Sequence, residues 1–171
     1  GPAYNSAGTI HSLNALLPGG HTLTIRNNPH VANYPGSTAG TYGLTAGSTM
    51  LDGTAVVDIR DVSPTASTFN PTFPQGRFTP GVLGGGGSLT KTGSGTMYLD
   101  AANTNTGPIT VGGGTLRAVH ASAFGTADGG TIVTPGGMID LALAVTPTTY
   151  AEPLTLSGTG MGGQGALVSK G

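Results

Sequence analysis

Gly87-Ser88-Leu89-Thr90-Lys91-Thr92-Gly93-Ser94-Gly95-Thr96-Met97-Tyr98-Leu99 runs on through Asn103-Thr104-Asn105-Thr106-Gly107-Pro108-Ile109-Thr110-Val111 to Gly112-Gly113-Gly114-Thr115-Leu116. Apolar residues alternate at Met97/Leu99 and on either side of Thr110, which is the period of a half-buried strand. The glycines between these short runs supply a positive φ or a close backbone approach, so each unit reads as a turn followed by a strand.

The same unit, Gly, any residue, Thr or Met, then a larger apolar residue, recurs along the chain. It stands at Gly20-His21-Thr22-Leu23, Gly47-Ser48-Thr49-Met50, Gly113-Gly114-Thr115-Leu116 and Gly136-Gly137-Met138-Ile139, with looser copies at Ser94-Gly95-Thr96-Met97 and Gln164-Gly165-Ala166-Leu167. Further alternation appears at Leu23/Ile25 and Ile139/Leu141, and short strand candidates at Leu16-Leu17 and Ile132-Val133. The mean period is about 24 residues, the length of one coil of a solenoid in which each coil pairs only with its neighbours. The spacing predicts an all-β fold, a β-solenoid of about seven coils and roughly 34 Å of axial length at the usual strand spacing. Leu23, Met50, Met97, Leu116, Ile139 and Leu167 are expected to form one interior column.

Composition agrees. The chain has 32 Gly and 12 Pro among 171 residues, a share close to that of disordered sequences, but 36% of residues are hydrophobic and the net charge is −1. Lys, Glu and Gln occur only at Lys91, Lys170, Glu152, Gln75 and Gln164, while Thr is abundant, which favours strands over helices. Only Ser12 to Leu17 suggests a helical turn. Six basic residues without a cluster leave no footprint for nucleic acid. No apolar run is long enough for a membrane helix, so this segment is expected not to insert into a membrane. The absence of Cys removes disulfides and thiolate chemistry. Gly1-Pro2 reads as a protease-cleavage scar, and residues 3–171 as a single solenoid segment.

One stretch breaks the pattern. From Arg60 to Gly87 the strand signals give way to Ser63-Pro64, Asn70-Pro71, Phe73-Pro74 and Thr79-Pro80, then Gly84 to Gly87. This reads as a projecting loop, and its Arg60, Phe69, Phe73, Arg77 and Phe78 form a candidate binding loop. Asn27 to Gly43 is a second candidate loop.

Residues Gly87 to Leu116 closely resemble the autotransporter-associated β-strand repeat, which runs as L-x-K-x-G-x-G-x-L-x-L and then N-x-Y-x-G-x-T-x-V-x-x-G-x-L. The departure is Thr106, where an aromatic is usual. Residues 88–171 carry the best match, and the first half reads as an irregular relative of the same unit. The resemblance implies a right-handed parallel β-helix in the exported passenger of a bacterial surface protein, anchored in the outer membrane through parts outside this chain. It also implies that the chain is a fragment whose parent continues past Lys170-Gly171.

Candidate chemistry is sparse. No Gly-x-Ser-x-Gly elbow or phosphate loop occurs, and His11, His21, His30 and His120 lack metal-ligand spacing. Asp52, Asp58 and Asp61 with Arg60 are the one carboxylate cluster, which raises a polysaccharide-degrading or polysaccharide-binding β-helix as the alternative. Asp58 and Arg60 share a strand face and read as a surface pair. Asp100 and Asp140 read as corner residues. Thr-x-Thr at Thr22-Thr24, Thr90-Thr92 and Thr104-Thr106 falls at different points of the repeat, so a flat Thr ladder is not expected. The resulting expectation is a non-catalytic stalk without cofactor or metal, secreted or at the cell surface. Its expected partners are a host or environmental surface or glycan, the neighbouring coils, and other copies end to end.

Overall fold

A computed structural model describes residues 10–16, 19–26, 43–60, 76–142 and 149–169. The described residues form a parallel β-helix. The first coil contributes β1 (Ile10–Leu13) and β2 (Thr22–Arg26), and the second contributes β3 (Gly43–Ala46), β4 (Ser48–Leu51) and β5 (Thr54–Arg60). The third holds β6 (Arg77–Thr79), β7 (Val82–Gly85) and β8 (Ser88–Thr92), and the fourth β9 (Thr96–Leu99) and β10 (Ile109–Val111). The fifth holds β11 (Gly114–Ala118) and β12 (Thr131–Val133), the sixth β13 (Gly137–Leu141) and β14 (Leu154–Leu156), and β15 (Leu167–Val168) opens a seventh.

Strands stack coil on coil into a seven-stranded sheet, β1-β3-β6-β9-β11-β13-β15, a six-stranded sheet, β14-β12-β10-β8-β5-β2, and a two-stranded sheet, β4-β7. The registers show that the coils are unequal. Arg77 pairs with Thr96 and Thr96 with Thr115, a short turn of the solenoid, whereas Gly43 pairs with Arg77 and Thr54 with Ser88 across much longer ones. The extra short sheet joins the long second coil to the short third one.

On the seven-stranded sheet, Leu44, Phe78, Met97, Leu116, Ile139 and Leu167 stand in register, the first five in or against the core and Leu167 exposed on the last strand. Phe78, Met97, Leu116 and Ile139 are fully buried, each contributing about 1.5–3 kcal/mol. The expected column is therefore right at Met97, Leu116 and Ile139, right in register but exposed at Leu167, and wrong at two places. Leu23 lines the six-stranded sheet opposite Val57, and Met50 is 47% exposed on β4. The Gly-x-Thr-apolar unit marks a corner followed by a strand without saying which side of the coil that strand occupies. Leu44 and Phe78 take the vacated positions.

The expected loop from 60 to 87 contracts for the same reason. Arg60 ends β5, while residues 77–79 and 82–85 are strands of the third coil. Pro80 sits at a corner where its carbonyl accepts a hydrogen bond from Thr49 Oγ1 (2.8 Å), so a residue that reads as a strand breaker terminates a strand. Gly84 and Gly85 pair with Met50 and Leu51. Phe69 and Phe73, with residues 61–75, lie outside the described residues, as does most of the second candidate loop. Ser12 belongs to β1 rather than to a helical turn, because its strand pairs with β3 and pairing overrides weak local preference.

Outward on the six-stranded sheet, Thr22, Val56, Thr90, Thr110, Ile132 and Thr155 follow one another in register. Thr22-Thr24 and Thr90-Thr92 thus do share a face, contrary to expectation. Val56 and Ile132 interrupt the hydroxyl row.

Candidate functional site

The densest polar chemistry inside the helix lies at the corners between coils three, four and five. Lys91 occupies an interior position between Val57 and Val111, and it is fully buried. Its ammonium donates to the carbonyls of Gly113 (2.7 Å), Thr92 (3.3 Å) and Gly93 (3.3 Å). A corner turns the backbone out of the ladder and leaves its carbonyls without strand partners; a buried ammonium with three donors satisfies them. Gly93 holds a φ of 73°, and Gly114 one of 65° with Lys91 Nζ 2.8 Å from where its Cβ would sit. Both positions exclude a side chain.

The other corner is built from asparagines. Asn103 Oδ1 accepts from Leu83 N (2.8 Å) in the coil before, and its Nδ2 donates to Ala123 O (2.5 Å) in the coil after. Asn105 Nδ2 reaches Phe124 O (3.2 Å) and Gly107 O (3.4 Å). Thr106, where the family pattern places an aromatic, is exposed, whereas Asn105 beside it is buried. A buried lysine two residues before a left-handed glycine, with paired asparagines clamping adjacent coils, supplies the physical content of the Lys-x-Gly and Asn markers.

Residues 89–118 match the family model of the passenger-associated-transport-repeat. No match was found among curated proteins or among solved structures. The passenger-associated-transport-repeat is a repeat of autotransporter passenger domains, a class whose members are secreted or surface-exposed. Its matched span here is β8 to β11, the fourth coil with one strand of the coil on either side.

Outside that repeat core, Asp58 and Arg60 form the ion pair foreseen on β5, with Arg60 Nε 2.5 Å from Asp58 Oδ2. Asp58 is nearly buried beneath the exposed guanidinium. Asp52 is exposed at the preceding corner, and Asp61 lies outside the described residues. Glycoside hydrolysis uses two carboxylates facing one bond, whereas Asp58 faces an arginine. Among the described residues no three His, Asp or Glu gather as a metal would require. None of their helices is long and apolar enough to cross a membrane.

Of the expected binding-loop residues that are described, only Arg77 and Phe78 fall together, on β6, and they point to opposite faces. Phe78 is core. Arg77 lies on the outer face, where its guanidinium sits 3.9 Å from the centroid of the Tyr98 ring and its Nε donates to Thr79 Oγ1 (3.2 Å). Arg117 approaches the same ring at 6.0 Å and pairs with Asp140 (3.5 Å). Asp140 is thus a buried strand residue and not a corner. Tyr98 and Arg117 escaped the sequence reading and Asp140 was misassigned to a corner, yet a signal existed. Each directly follows a column residue, Met97, Leu116 or Ile139, so aligning the repeats on that column sets them side by side.

Glu152 packs against β12, where Thr131 Oγ1 donates to its Oε1 (2.6 Å) and its buried Oε2 has no partner among the described residues. Burial raises its carboxyl above the ordinary 4.5, only partly opposed by the Thr131 hydrogen bond. The folded state therefore holds this proton more tightly than the unfolded chain. That stability is complete below the ordinary value and is lost as pH rises through the folded one. Thermal melts are expected to show a falling melting temperature as pH is raised from about 4 towards neutrality, and Glu152→Gln is expected to flatten that slope. An unchanged slope in the variant would assign the dependence to other groups.

Proposed function

We propose that this chain is a non-catalytic, load-carrying section of a surface-exposed autotransporter passenger, a stiff stalk whose outer faces are available for adhesion. The observation that supports this reading most is the continuous parallel stacking of strands from β1 to β15 on one side of the solenoid. Each coil is hydrogen-bonded to the next along two long sheets, so bending requires breaking ladders on one side. A surface poor in charge and rich in Thr, Ser and Asn fits a segment that makes few strong contacts of its own. The family match over residues 89–118, a repeat of autotransporter passengers, supports the surface-exposed part of this reading.

Amide hydrogen exchange on the chain is expected to show slow, uniform protection through β5 to β13, and a polysaccharide panel is expected to release no products. Turnover of any glycan that disappears in Asp58→Ala would replace this reading with a carbohydrate-active one.

End-to-end contact between copies is part of the same proposal. Leu156 and Leu167 are 42% and 37% exposed on β14 and β15, which lie at the edges of their sheets among the described residues. Edges of this kind pair readily. Light scattering is expected to show association that grows with concentration and weakens in a Leu156→Lys, Leu167→Lys double variant. A monomer at all concentrations would remove this part of the proposal.

A further inference from the structure

In a chain with six basic residues among 171, two arginines flank one tyrosine on the outer face of the seven-stranded sheet. Arg77 stands on β6, Tyr98 on β9 and Arg117 on β11, three successive strands. Among the described residues the charge there is unbalanced. Asp140 is the one carboxylate that pairs on this face among the described residues, and it pairs with Arg117. Arg77 has no carboxylate, and its two Nη groups have no acceptor among the described residues. Its orientation is nonetheless set, by the Thr79 hydroxyl on Nε and by the ring beneath its plane. A guanidinium fixed by stacking, with its fork left open, is arranged for two parallel hydrogen bonds to an oxyanion at small entropic cost.

We propose that this face binds a glycan bearing carboxylate or sulfate groups, laid obliquely across the strands from Arg77 to Arg117 over Tyr98. Arg77 stands level with Thr115, two residues before Arg117 on β11, and the two guanidinium carbons lie 3.9 and 6.0 Å from the one ring centroid, so the charges are no more than about 10 Å apart, within the rise of one disaccharide. A polymer with one acidic group per disaccharide therefore sets successive groups over both. The half-buried Tyr98 gives the intervening sugar an aromatic edge. An acidic peptide fits less well, because extended peptides dock by adding a strand to a free sheet edge, and the interior strands β6, β9 and β11 are paired on both sides. The inference deepens the adhesive part of the proposed function, and the two fail separately. The stalk reading fails on exchange or turnover, whereas the site fails on titration.

The test is calorimetric titration of the 171-residue chain, at low ionic strength, with an oligogalacturonate, a heparin-derived oligosaccharide and a neutral malto-oligosaccharide of similar length. Binding of at least one acidic oligosaccharide and not the neutral one is expected, and the acidic arm that binds identifies carboxylate or sulfate. Arg77→Ala is expected to weaken that binding roughly tenfold, and Arg77→Lys to restore only part of it, since Lys lacks the fork. Arg26→Ala, on the six-stranded sheet, is expected to leave it unchanged. If Arg77→Ala melts early, Arg117→Ala, expected to weaken binding by a comparable factor, decides. No binding of either acidic ligand, equal binding of the neutral one, or equal loss in Arg26→Ala overturns the proposal.

Discussion

Lys91→Met is expected to destabilise the fold by about 3 kcal/mol, and Lys91→Ala by about 5 kcal/mol, read as lower midpoints in denaturant titration. The direction runs against a common result, since exchanging a buried charge for an apolar group of similar size is often neutral. The difference lies in what the ammonium touches. Its acceptors include the carbonyls of Thr92, Gly93 and Gly113, which belong to two successive corners. Methionine fills the volume and leaves those carbonyls unpaired, at about 1–3 kcal/mol each where water cannot reach them. Alanine adds a cavity inside a column whose neighbours, Val57 and Val111, are themselves buried. A near-neutral Lys91→Met would mean that the corner carbonyls are satisfied without the ammonium, and the explanation of the Lys-x-Gly marker would fall. For a domain with a total stability of roughly 5–15 kcal/mol, the expected alanine result approaches complete unfolding.

Phe78→Ala is expected to cost about 3–5 kcal/mol, with Arg77→Ala far less harmful to folding despite being its neighbour. Phe78 is fully buried and stands between Leu44 and Met97 in the interior column. No smaller side chain at that height closes the gap, because parallel strands on either side hold the coil spacing. The same substitution separates two roles for the segment from 77 to 82. A projecting binding loop would lose a partner and keep its melting temperature, whereas a coil loses its melting temperature. For that reason, a deletion that takes in residues 77–79 tests no loop function, since it removes β6 altogether. An unchanged midpoint in Phe78→Ala would return Phe78 to the loop.

The strand pattern was legible wherever apolar alternation and glycine corners coincided. Met97/Leu99 became β9, Ile109 to Val111 became β10, and Ile139/Leu141 fell in β13. Legibility failed where proline and runs of glycine stood inside a coil. Pro80, and Gly84 with Gly85, read locally as breakers, yet one ends a strand and the others pair closely with β4. Local chemistry records what a residue disfavours and says nothing of the partner that compensates. The candidate site failed in a similar way. Arg77 was visible as a charge in a loop-like stretch, but its ring, Tyr98, comes from the next coil.

By itself, then, the sequence determined a stacked β architecture and the identity of its repeat, because glycine corners and alternating apolar residues are properties of one coil and recur with it. Tertiary structure alone decided which side of the coil each strand joins, and therefore which side chains meet. That choice depends on the number of residues between corners, and these coils vary in length. Leu44 and Phe78 complete the column in place of Leu23 and Met50, and Arg77, Tyr98 and Arg117 come together, because stacking converts equal positions in unequal coils into neighbours.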